Sequence, residues 1–175
     1  MKMLDEGPDA PAPVRWLGRL VDWAVVVLGM IMVALVFANV VMHNVFARDL
    51  AWTIELSELL MVWVTLLGGA AAARRGAHMA INELIDRLQV RQRQAVEVLI
   101  QLLVLVTLGL LAWYGIGITQ AGMMSVLTVL DWPMATQYAA LPVASAITMV
   151  FVGWDLLAIL QGRTHSERFG ERGAP

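Results

Sequence analysis

The sequence predicts an all-α integral membrane protein: four transmembrane helices, with a short amphipathic interfacial helix between helices 2 and 3. Three observations predict it. Apolar stretches run from about residue 22 to 46, 53 to 73, 95 to 118 and 137 to 160. Each approaches or exceeds the roughly 20 helical residues that cross a hydrocarbon core about 30 Å thick. Of the 175 residues, 59% are hydrophobic and 15% charged, whereas about 25% of a soluble domain is charged. The basic residues are also segregated. With four crossings, Lys2, Arg15, Arg19, Arg74, Arg75, Arg87, Arg91, Arg93, Arg163, Arg168 and Arg172 share one face with both termini, and Arg48 stands on the other. Basic residues are retained in the cytoplasm, so both ends are expected inside.

The chain begins with an acidic, proline-bearing stretch, read as a disordered cytoplasmic tail over 1–13. It lacks the basic start and short apolar core of a cleaved signal peptide. Trp16, Arg19 and Trp23 open the first span. Aromatic rings and arginines favour the headgroup level, so they mark the inner boundary. The turn at 47–51 is short, which makes the first two spans antiparallel neighbours. Trp52 marks the outer boundary. The second span carries Glu55 and Glu58 in its first turns and ends in Gly68, Gly69 and a run of alanines. Small residues let helices approach closely in lipid, so that end is expected to face another helix.

Within 79–89, Ile81, Leu84, Ile85 and Leu88 recur at the spacing of one helical face. The segment is too short and too charged to cross. It is expected to lie flat at the inner interface, near Arg74 and Arg75; an amphipathic connector packed on protein remains open as the alternative.

From Val98 to Leu130 no residue is charged. One helix over that length would reach about 50 Å. Gly115, Gly117 and Gly122 are weak helix positions, so the third span is expected to end near them. Residues 119–130 then form an outer loop whose Met123, Met124, Val126, Leu127 and Val129 need cover; a long tilted helix is the alternative. Asp131, Trp132 and Pro133 precede the fourth span. Pro142 lies within it, where neighbours can satisfy a freed carbonyl. Trp154, Asp155 and Arg163 mark its inner end, and 164–175 read as a second disordered tail.

Several chemistries are excluded or disfavoured. There is no cysteine, which removes disulfides and thiolate metal sites. A net charge of −2 makes no case for nucleic acid. His43 and His78 fall at opposite membrane faces, about 30 Å apart, and His165 is in the tail. A bis-histidine cofactor therefore does not assemble, and no cofactor is expected in this chain. Glu55 and Glu58 lie one and two turns below the outer surface, too shallow for a midplane proton relay, so an interfacial helix contact is expected of them. Asp22 and Asp155 stand near the inner boundary within reach of Arg15, Arg19 or Arg163. No residue set suggests an enzyme. An independent channel or small transporter, and a membrane anchor of a redox complex, are the competing classes.

The stretch Trp52-Thr-Ile-Glu55-Leu-Ser-Glu58-Leu-Leu-Met-Val-Trp63-Val-Thr-Leu-Leu-Gly68, continuing through Ala70–Ala73 to Arg74, Arg75, Gly76 and His78, resembles the second span of the small membrane subunit (DctQ-like) of tripartite ATP-independent periplasmic (TRAP) transporters. Tyr138-Ala-Ala-Leu141-Pro142-Val143 resembles the opening of that family's fourth span. The likeness covers about residues 15–162. His43 and Asn44 stand where the family commonly has arginine and an aromatic residue, and Glu58 where a neutral or basic residue is frequent.

The resemblance implies a function. TRAP systems are sodium-coupled importers of organic acids, often dicarboxylates, keto acids or sialic acids. A periplasmic substrate-binding protein captures the substrate. A large multi-span membrane subunit carries the substrate and sodium sites. The small subunit braces that large subunit and helps dock the binding protein. This chain is accordingly expected in the bacterial inner membrane. Its candidate partner contacts are Trp52, Glu55, Glu58, Trp63, Gly68, His78, Met123, Met124, Tyr138 and Pro142. Its candidate membrane contacts are Trp16, Arg19, Trp23, Arg74, Arg75, Ile81, Leu84, Ile85, Leu88, Trp132 and Trp154.

Overall fold

The structure is a computed structural model and describes residues 11–48, 50–74 and 90–160. Helix α1 spans Ala12–Phe46, α2 Ala51–Arg74, α3 Val90–Gly122, α4 Ala135–Tyr138 and α5 Ala140–Leu160. The segment 79–89, with its expected interfacial helix, lies outside the described residues, as do 1–10 and 161–175.

All four expected spans are present as helices long and apolar enough to cross a membrane. All four extend beyond the predicted bounds, two of them by a wide margin. Helix α1 has 35 residues, or about 52 Å, and begins ten residues before the apolar stretch. Pro11 is its N-cap and Pro13 falls in its first turn, where a missing N–H leaves no intrahelical bond unmade. Trp16, Arg19 and Trp23 therefore ride on the helix itself. The helix stops at Ala47, which takes the left-handed conformation (φ 49°) with its N–H on the Met42 carbonyl.

Helix α3 likewise runs to Gly122 instead of ending near residue 118, so the loop starts at Met123. The reason is packing. A Cβ on Gly115 would stand 2.9 Å from Pro142 Cδ, and one on Gly122 would stand 2.7 Å from Tyr138 Cδ2. These two glycines, seven residues apart, are places of close helix approach. The packing they permit outweighs their weak helix propensity.

In space the long helices follow the order α1, α2, α5, α3. Helix α1 packs along α2, α2 along α5 and α5 along α3, while α4 sits mainly against α3. No extended seam joins α1 to α3 among the described residues. The result is a single row with α1 and α3 at its edges. Its densest packing is around Val21, Leu67, Ala71, Ala144 and Phe151, where α1, α2 and α5 meet. Ala70 and Ala71 are buried there, so the small-residue end of α2 does face its neighbours.

Candidate partner interface

One end of the row is closed by a hairpin. After α3 the chain turns, and Val126 and Pro133 form an antiparallel bridge. Leu127 N–H donates to the Trp132 carbonyl at 2.8 Å, and Met134 N–H to the Ser125 carbonyl at 2.9 Å. Asp131 takes a left-handed conformation (φ 53°) in the turn. Leu127 alone points inward, 6% exposed, while Met123, Val126, Val129 and Trp132 are exposed and Met124 is 94% exposed.

Glu55, on the second turn of α2, reaches this hairpin. Its Oε1 and Oε2 each accept from Val129 N–H at 3.0 Å, and Oε2 also accepts from Leu130 N–H at 3.0 Å. Eight residues further along α2, Trp63 Nε1–H donates to the Thr136 carbonyl at 3.0 Å. Helix α2 thus holds the hairpin near its tip and again beyond its base. The first turn of α2 is fixed in its own right. Leu50 N–H donates to Asn39 Oδ1 on α1 at 3.2 Å, and Thr53 Oγ1–H to the Leu50 carbonyl at 2.6 Å.

The opposite end carries polar ties between helices. Arg74 of α2 pairs with Asp22 of α1. Gln101 of α3 donates to Asp155 of α5, and Gln101 is buried. Charges within apolar surroundings are costly unless paired, which is why these groups turn toward one another. Neither cross-helix partner was read from the sequence, because span order in space was not available to it.

The candidate residues sort into four groups, with Arg74, expected at the membrane surface, held instead in its pair with Asp22. Trp63, Glu55, Pro142 and Tyr138 make contacts within the chain, the last two by filling the notches at Gly115 and Gly122. Trp52, Glu58, Met123, Met124, Trp16, Arg19, Trp23 and Trp132 are exposed. Gly68 and Trp154 are half-buried, and a Cβ on Gly68 would meet nothing within 4 Å. His78, Arg75, Ile81, Leu84, Ile85 and Leu88 lie outside the described residues. Two contributors went unrecognised, Asn39 and Gln101. A lone amide in an apolar run was the available signal for each.

Each edge helix presents an apolar stripe. On α1 it runs Trp23, Val26, Met30, Val33, Phe37 and Val40; on α3 it runs Leu99, Leu103, Val106, Leu110 and Trp113. Alternating steps of three and four residues keep each stripe on one side of its helix. Phe37 is 69% and Trp113 75% exposed. Such surface belongs against lipid or another helix. No group of three or more His, Asp or Glu side chains that could hold a metal ion occurs among the described residues.

Four helices long and apolar enough to cross a membrane define a multi-pass membrane protein. Residues 32–162 match the family of tripartite ATP-independent periplasmic transporters, DctQ component. That is more than half of the chain, and the chain belongs to this family: it is a TRAP transporter small permease subunit of the inner membrane, not an enzyme. It is similar to the sialic acid TRAP transporter permease protein SiaT of Haemophilus influenzae (strain 86-028NP), 29% identical over 103 residues, or 59% of this chain and 17% of that protein. It is also similar to the C4-dicarboxylate TRAP transporter small permease protein DctQ of Vibrio cholerae serotype O1 (strain ATCC 39315 / El Tor Inaba N16961), 30% identical over 63 residues, or 36% of this chain and 27% of that protein. The matched stretches span less than a third of either relative.

Proposed function

We propose that this chain is the accessory subunit of a sodium-coupled importer of organic acids. It braces a large multi-span membrane subunit along an edge of the helix row and helps dock a periplasmic substrate-binding protein at the hairpin end. The observation that carries this reading is the single row. Four helices in line make long apolar edges, and no carboxylate cluster stands midway along them in the sequence. The fold offers surfaces where a carrier would offer a site. Sodium and substrate are accordingly assigned to the large subunit. Relatives named for sialic acid and C4-dicarboxylate support a carboxylate-bearing substrate.

The orientation follows from charge. The eleven basic residues that share a face with the termini belong in the cytoplasm, which directs the hairpin to the periplasm. There its exposed Met123, Met124, Val126 and Trp132 offer the apolar surface that a soluble partner requires.

The test is reconstitution. The purified chain alone in vesicles carries no solute under a sodium gradient. Co-expressed with a large TRAP subunit it copurifies with it, and together with a binding protein the pair accumulates the acid. Accumulation by the chain alone would overturn the reading.

A further inference from the structure

We propose that Glu55 is the positioning residue of the 125–134 hairpin: its carboxylate, seated on the backbone N–H groups of Val129 and Leu130, fixes where the exposed Met123, Met124, Val126 and Trp132 stand. The effect on docking rests on the function proposed above; the geometry does not.

The hairpin has little to hold it by itself. A two-stranded ribbon is marginal alone, and this one has one bridge and two cross-strand backbone bonds among the described residues. Its turn also contains Asp131 in a left-handed conformation, a region that Asp enters more readily than most L-residues but still at some cost. A restraint from outside is therefore required, and Glu55 supplies one. Two consecutive turn amides converge on a single carboxylate at 3.0 Å. Hydrogen bonds to an ionised acceptor are roughly twice as strong as neutral ones. Glu55 can act as a fixed point because its own helix start is tied to α1 through Asn39 and Leu50. Glu58, one turn on, is exposed and makes no such bond among the described residues.

Glu55→Gln is the discriminating variant. It is nearly isosteric, but it replaces one acceptor oxygen with an NH2 group that cannot accept from the turn. Amide hydrogen exchange is measured on the full chain, purified with its large subunit. In Glu55→Gln, exchange at Val129 and Leu130 is expected to rise at least tenfold, with Ala144–Val152 of α5 unchanged; Glu58→Gln leaves both regions as they were. Unaltered exchange at Val129 and Leu130 would overturn the proposal, and so would a uniform rise across α2 and α5.

A second readout needs no purification. The chain has no cysteine, so Leu127→Cys places a single thiol at a position 6% exposed. Its maleimide labelling in native membranes should accelerate at least fivefold when Glu55→Gln is added; an equal rate counts against the latch.

Docking is then scored separately. The wild-type complex should bind its substrate-binding protein about tenfold more tightly than the Glu55→Gln complex. Equal affinity alongside raised exchange overturns the positioning role. If neither complex binds a binding protein while exchange still rises, the docking reading fails and the latch stands.

Discussion

At the scale of single residues, the glycines of α3 give the clearest case of one residue type with two meanings. Gly115 meets Pro142, whose ring cannot swing aside, whereas a Cβ on Gly117 meets nothing within 4 Å. Gly115→Ala is expected to cost about 1–3 kcal/mol through overpacking and to lower the thermal midpoint in detergent. Gly117→Ala should be neutral or stabilising by up to about 1 kcal/mol, since alanine is the better helix former. Equal midpoints for the two would refute the close approach. The sequence marked Gly115, Gly117 and Gly122 as helix-weakening, but spacing alone could not tell a helix end from a packing notch. Glu55 poses the same difficulty. Its place near the start of α2 was legible, but its partners are backbone N–H groups, which carry no side-chain signature, so an interfacial contact was all that could be read.

At the scale of elements, the four spans were legible because run length and hydropathy suffice to find them. Their neighbours were not. Each helix is apolar on nearly every face, so no polar stripe distinguishes a side that meets another helix from one that meets lipid. The Asp22–Arg74 pair records one answer, α1 beside α2. Its side chains are 27% and 13% exposed. Breaking a buried pair costs about 3–5 kcal/mol; with this partial exposure, Asp22→Ala should cost about 2 kcal/mol. Asp22→Leu combined with Arg74→Leu should recover at least half of the loss, because no charge is then left alone. A double variant less stable than Asp22→Ala would remove the pair from the account. The hairpin offers another test. Ser125 is exposed and lies at its foot. Ser125→Arg should leave the membrane complex intact but reduce uptake several-fold when the binding protein supplies the substrate. Full uptake would mean that the hairpin touches nothing in the cycle.

At the scale of the whole molecule, α2 and α5 each carry two extended helix seams, while α1 and α3 each carry one extended seam with a long helix among the described residues. Cohesion in such an array is a chain of nearest-neighbour seams, as it is in stacked repeat proteins. Peeling away an outermost member should therefore leave the remaining seams standing, whereas a bundle with one shared centre would collapse. A fragment lacking residues 1–48 is expected to keep the α5–α3 register, so that Gln101→Cys and Asp155→Cys still oxidise to a disulfide in membranes as readily as in the full chain. Chain order and spatial order differ here: α3 emerges before α5 and, among the described residues, has no extended seam with α1 or α2, so it waits for α5 to be laid between α2 and itself. The row therefore stays open at its middle until that last strip arrives, which leaves room for a much bigger companion to be gathered in along the way.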